Sequence, residues 1–435
     1  MLPVLIQLAA AAPPPPASLP RGNVLVLVVD TLRADAMGTY GEKSPTTPRL
    51  DAFAKESVVF DRAWTQYTWT LPAVLSYTTS QFVRTHGWDY DIGQFDLYRV
   101  VDAAVPTLAE VLKANGYATE GRYANGHLQE SLGFGRGFDT WSKGTDEGVI
   151  TAAIEDIKGW ATDGKPNLLY VHVMQCHTPW RPSAAAQKAL GTPLAVPTKG
   201  LDWGDWPKLA AESRPARAIE LRTQYEAALW DADAGMGRVL DALTASGEAS
   251  KTMVLFHSDH GEQLGDHNFA GHNRSVFEEL ARVPLVVRVP GARPARVVGQ
   301  VGRLLDIPPT VLDVVGLATK QPSAWQGSSW YRQTKPPLAV VERTTDIGFS
   351  LDGITKVVHD RASGAFAFGF NLLNDPAEKL RLKVATLPAI AALESSVAEW
   401  YSKTPKGSNK GEKPNVDAGK KQEVNDLLKE LGYIE

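Results

Sequence analysis

Residues 23–30 read Asn-Val-Leu-Val-Leu-Val-Val-Asp, and this stretch limits the fold more than any other. An unbroken run of β-branched and leucine side chains without polar alternation suits a strand buried on both faces, as in a parallel sheet covered by helices. Similar apolar runs occur at 168–173, 252–256 and 284–289, and helical patterns intervene at 107–115 and 219–243. Strands alternating with helices imply a layered α/β fold. In open sheets of this kind the site gathers beyond the carboxyl ends of the strands. The residues there are polar: Asp30 and Thr31 after the first run, Gln175 and His177 after the second, and His257, Ser258, Asp259, His260 and Gly261 after the third.

With 435 residues, 43% of them hydrophobic, the chain can bury one large domain and a smaller appendage. The formal charge of −4 arises from 45 basic and 49 acidic residues spread along the chain, which provides no footprint for nucleic acid. Cys176 is the lone cysteine, so an intrachain disulfide and a thiolate metal cluster are both excluded.

Residues 1–12 form an apolar run ending in four alanines, which favours an export signal, and so a periplasmic or extracellular protein, over a disordered apolar tail, although no Lys or Arg precedes it; the run is too short to span a bilayer. With the Pro13 to Pro16 spacer it makes up a leading segment, 1–22. A catalytic domain is expected over 23–334, a small α+β subdomain over 335–402, and a linker with a terminal helix over 403–435. The stretch from Pro182 to Pro215, with Trp203 and Trp206, suits a lid or insertion as well as an ordinary surface loop.

A hard divalent cation needs oxygen ligands, and carboxylates on strand ends supply them at small ordering cost. Asp30 and Asp259 are the natural pair. His260 adds a nitrogen ligand, which widens the choice from calcium to magnesium, manganese or zinc. One divalent ion is expected, because no Asp-x-x-x-His segment precedes Asp259 to hold a second.

The wording around these residues resembles the sulfatase family of the alkaline phosphatase superfamily. Val29-Asp30-Thr31-Leu32-Arg33-Ala34-Asp35, Gly38-Thr39-Tyr40-Gly41 and Thr47-Pro48-Arg49-Leu50-Asp51 resemble its opening, and Ser258-Asp259-His260-Gly261-Glu262 is similar to its second metal segment. Asn374-Asp375-Pro376-Ala377-Glu378 resembles its C-terminal signature. The resemblance implies an alkaline-phosphatase-like three-layer sandwich with a central, mostly parallel sheet, and a metal-dependent hydrolase of sulfate or phosphate esters. Its substrate would be a small molecule or a glycan or lipid ester.

In this family the nucleophile lies in Cys/Ser-x-Pro-Ser-Arg-x-x-x-Leu-Thr-Gly, whose first residue becomes formylglycine. The matching stretch here is Thr70-Leu71-Pro72-Ala73-Val74-Leu75-Ser76-Tyr77-Thr78-Thr79-Ser80, with His86-Gly87 downstream, so Thr70 stands in the nucleophile's place and Val74 in the arginine's. Threonine cannot become formylglycine. A metal-bound threonine hydroxyl suits phosphoryl transfer instead.

The resemblance further implies Asp30, Thr31, Thr70, Asp259 and His260 around the metal, His177 at the leaving group, and His272 in place of a lysine on the transferred group. Asn125 and His127 are implied for the substrate wall. Other roles compete with these: Thr70 as a helix cap, and His86, His172, His257 and His267 as structural histidines. A catalytically silent relative that binds an anionic sugar or lipid is the rival expectation, motivated by the missing arginine and lysines.

Overall fold

The structure, a computed structural model, describes residues 18–90, 100–191 and 206–407. The apolar segment 1–12, the proline spacer, Trp203 and the terminal helix expected at 422–431 lie outside the described residues. Among the described residues no helix is long and apolar enough to cross a membrane.

Eight strands form the central sheet, in the spatial order Ala295–Val297, Val58–Phe60, Leu285–Arg288, Thr252–His257, Asn23–Val29, Asn167–Val173, Ala118–Tyr123, Thr140–Lys143. Asn23–Val29 lies at the centre and pairs in parallel with both neighbours, in a register that sets Val29 opposite Val173 and Val28 opposite His257. The three carboxyl ends therefore finish level, and the polar residues that follow them meet. The 284–289 run forms the strand Leu285–Arg288, which is antiparallel to both of its neighbours. A short apolar run carries no information about direction, so this reversal was not legible in the sequence.

Alternate side chains of the first strand enter opposite layers. Val24, Val26 and Val28 pack with Leu71, Val74 and Leu75 of the helix Thr70–Thr79 and with Val311 and Leu312 of Ile307–Val314. Leu25, Leu27 and Val29 pack with Val149 and Ile150 of Asp146–Asp163 and with Tyr225 and Leu229 of the long helix Arg214–Ala245. Full burial of each such side chain contributes roughly 1.5–3 kcal/mol, enough to fix which layer each strand face serves. This is the layered α/β fold expected from the alternation, in the three-layer form that the family resemblance implied.

A four-stranded antiparallel sheet follows in simple order, Ala339–Glu342, Asp346–Ser350, Thr355–Asp360 and Ala365–Asn371. The helix Ile390–Lys403 covers it through Leu393, Val397 and Trp400, in a core that also takes Phe82 and Leu305 from the main body. Lys356 pins the two parts together. Its Nζ is fully buried, donates to the Val276 carbonyl at 2.6 Å, and lies 3.1 Å from Glu278 and 2.9 Å from Glu378. Burial works against its charge, but the two carboxylates outweigh burial and raise its pKa.

Removing one partner of a buried ion pair strands the others in low dielectric. Lys356→Met should therefore cost about 3–5 kcal/mol, read from denaturant midpoints. Stability equal to that of the unsubstituted chain would show that the cluster does not anchor the small sheet.

Candidate active site

Asp30 and Asp259 leave adjacent parallel strands, and both are fully buried. Asp30 Oδ2 accepts a bond from Asn125 Nδ2 at 2.6 Å, and His172 Nε2 lies 3.0 Å from the same oxygen. Asp259 Oδ1 accepts from the backbone N–H of His260 at 2.9 Å and of Thr31 at 3.2 Å. The other two oxygens, Asp30 Oδ1 and Asp259 Oδ2, are buried without a hydrogen-bond partner.

His260 faces both of these oxygens. Its Nε2 is 3.9 Å from Asp30 Oδ1 and 3.5 Å from Asp259 Oδ2. Its Nδ1 lies 2.9 Å from the Gly261 carbonyl, which can only accept, so Nδ1 carries a hydrogen and Nε2 is the ring nitrogen turned towards the two oxygens. Gly261 is required at this turn, because a Cβ there would fall 2.0 Å from the Glu279 carbonyl oxygen.

Thr70 is buried at the first position of its helix, and the N-cap is Trp69. Its hydroxyl makes no cap; Oγ1 lies 3.3 Å from His260 Nε2 and accepts from Asn125 Nδ2 at 3.3 Å. Thr31 sits at φ 56°, a strained conformation for a β-branched residue, and this turns its N–H onto Asp259. Its hydroxyl, implied as a cation ligand, donates its hydrogen to the Asp30 carbonyl at 2.7 Å.

The remaining implied residues are buried around the same group. His272 packs on His260, with ring centroids 4.7 Å apart, and His177 on His272 at 5.2 Å. His177 Nδ1 lies against the Thr178 carbonyl, and His272 Nδ1 is 3.2 Å from Glu262. Asn125 Oδ1 accepts the His127 N–H at 2.8 Å, which fixes the amide's orientation and aims Nδ2 at Asp30 and Thr70. Beside His177 opens a cavity of about 230 Å³ lined in part by Asp146, Gln175 and Arg181.

Burial governs the charges. It pushes His127 down to about 4, and it likewise lowers His177 and, further, His272. These three imidazoles are therefore neutral at pH 7. Arg33, also buried, is taken up by Asp35, Asp266 and the Glu262 carbonyl. Burial pushes Asp30 up as well, but the His172 hydrogen bond and the neighbouring imidazoles outweigh it and hold Asp30 below the ordinary carboxylate range. Burial, and then the charge of Asp30, raise Asp259.

Two adjacent buried carboxylates, each with one unpartnered oxygen, would cost several kcal/mol without a countercharge. A hard divalent cation fits this donor set: two carboxylate oxygens and one imidazole nitrogen. His172 also brings a donor atom within reach, since Asp30, His172 and Asp259 have ligand atoms within 4.8 Å of one another.

Sequence reasoning placed His172 among the structural histidines and Asn125 only on the substrate wall. The available signal was period two: Tyr170 and His172 share one strand face, and that face leads to Asp30.

A family model described as Sulfatase matches residues 22–317. An arylsulfatase of Clostridium perfringens is 24% identical over 394 residues, covering 71% of this chain and 79% of that protein. An ulvan-active sulfatase of Formosa agariphila is 26% identical over 348 residues, covering 72% of this chain; the chain spans 65% of that relative, just under two thirds of its length. The solved structure of Ps i-CgsB in complex with k-i-k-neocarrahexaose matches with a TM-score of 0.68 at 15% identity, over 95% of this chain and 100% of that one, which is a likeness of fold.

Chelator-treated protein titrated with Ca²⁺, Mg²⁺ or Mn²⁺ should take up one ion and unfold at a higher temperature. The gain is about 2.7 kcal/mol at a hundredfold excess over Kd, and Asp259→Asn should abolish it. No shift with any of these three ions or with Zn²⁺ would rule out the cation assignment.

Proposed function

Because this chain belongs to the sulfatase family of the alkaline phosphatase superfamily, we propose that it is a cation-dependent hydrolase of sulfate or phosphate esters with Thr70 as nucleophile. One observation carries this reading: the Thr70 hydroxyl lies beside His260 and Asn125, at the edge of the two unpartnered carboxylate oxygens. Asp30, Asp259 and His260 would hold the ion, with Thr70 as a further oxygen donor. When bound, it would lower the proton affinity of the Thr70 hydroxyl and offset the negative charge of the ester.

The chain's own residues account for the rest. Asn125 Nδ2 orients Thr70 Oγ1 for in-line attack while holding Asp30 in place. A bond forms from Oγ1 to sulfur or phosphorus as the ester oxygen departs. His177 Nε2, which takes up a proton before the attack, gives it to the departing oxygen, Nδ1 being held on the Thr178 carbonyl, and the proton lost by Thr70 passes to solvent. His272 and His127 border the transferred group and, being neutral, present no fixed positive charge to it. Water then releases the group from Thr70. A threonine ester lacks the aldehyde exit of formylglycine, which favours phosphoryl over sulfuryl transfer.

The uncharged histidine wall also supports a second reading, a silent relative that binds an anionic sugar or lipid. A panel of p-nitrophenyl sulfate, phosphate and phosphodiester separates the two, because a silent protein turns over none of them.

On the best ester of that panel, Thr70→Ala should lower kcat about 10³-fold or more, while Thr70→Ser keeps measurable turnover. Full turnover in the alanine variant sinks the nucleophile assignment. His177→Gln should lower kcat about 10²-fold or more on an alkyl ester and far less on a p-nitrophenyl ester, whose leaving oxygen needs no proton. Equal losses on both would remove His177 from proton transfer.

A further inference from the structure

Behind Asp30 runs a file of polar groups sunk in the core. Tyr77 Oη lies 2.7 Å from Tyr170 Oη, Tyr170 Oη lies 2.7 Å from His172 Nδ1, and His172 Nε2 lies 3.0 Å from Asp30 Oδ2. All three side chains are buried, and the Tyr170 ring stacks on Trp141 at 5.6 Å. Such a file costs free energy unless every member is satisfied, so its hydrogens must run in a consistent direction.

The two oxygens of Asp30 decide that direction. Oδ2 already accepts the Asn125 amide at 2.6 Å and has His172 Nε2 on it as well, whereas Oδ1 has no partner. Oδ1 faces His260 Nε2, which in turn faces the unpartnered Asp259 Oδ2. The open side of the carboxylate is therefore the side away from His172. We propose that His172 is a positioning residue and not a cation ligand: its Nε2–H donates to Asp30 Oδ2, and Tyr170, backed by Tyr77, holds the ring so that Asp30 presents Oδ1 to the ion.

The rival arrangement has the opposite ring proton. Were Nε2 a ligand it would be bare, and Nδ1 would carry the hydrogen and donate it to Tyr170. Whether neutral or charged, a positioning His172 keeps a hydrogen on Nε2. The proposal rests on the cation assignment only for its affinity arm; the ring-proton arm needs neither metal nor turnover.

Both arms use the full chain. Long-range proton–nitrogen spectra of ¹⁵N-histidine protein, with the His172 signals assigned by their loss in His172→Gln, should show a hydrogen on Nε2 with chelator and with Ca²⁺ or Mn²⁺ alike. A bare Nε2 in either state overturns the proposal.

In calorimetric titrations with the same ions, His172→Gln, which keeps an N–H near the Nε2 position, should bind within about threefold of the unsubstituted chain. His172→Leu and Tyr170→Phe should each weaken binding about tenfold or more. Equal losses for Gln and Leu, or unchanged affinity in Tyr170→Phe, would contradict it. If no ion binds at all, the cation assignment fails, and the ring proton still decides the role of His172.

Discussion

Two carboxylates buried side by side, Asp30 and Asp259, each keep one oxygen without a partner, and the rest of the site is organised around that deficit. In low dielectric the pair repels, and neither a lysine nor an arginine approaches it among the described residues. The parallel register that sets the Asn23–Val29 strand beside Thr252–His257 forces the two acids together. The fold therefore builds in an electrostatic need that a divalent ion meets, and the second carboxylate oxygens are tied down by Asn125, His172 and two backbone N–H groups.

The same burial shapes the histidines proposed to face the substrate. Burial lowers the pKa of the enclosed imidazoles at His127, His177 and His272, so positive charge at the proposed reacting centre would depend on the ion. A neutral His177 with one nitrogen fixed on a carbonyl can take up a proton and return it, as the proposed role at the leaving group requires. The combination of an unmodified threonine and an uncharged wall is what separates this site from the family pattern its sequence resembles.

Much of this was legible in the sequence because the chemistry follows the strands. An apolar run ending in Asp30, and another leading through Ser258 to Asp259-His260, mark strand ends by composition alone. Direction was not legible: the Leu285–Arg288 run looks like its parallel counterparts and is antiparallel. Asn125 was hidden as a partner of Asp30, because its reach depends on the turn that follows the Ala118–Tyr123 strand. His172 read as structural because a histidine inside an apolar strand looks the same whether it supports packing or a carboxylate. The cap role considered for Thr70 belongs to Trp69, a shift of one residue that pattern alone does not resolve.

In the proposed reaction Thr70 Oγ1 receives the transferred group. Cation-loaded protein mixed with a p-nitrophenyl ester, quenched in acid during the first turnover and digested, can be searched by mass spectrometry for a sulfuryl or phosphoryl adduct. The adduct is expected on Thr70, appearing with the first equivalent of p-nitrophenol and decaying as the second product forms. A burst of p-nitrophenol with the adduct on another residue, or turnover with unmodified Thr70 at every quench time, would contradict it.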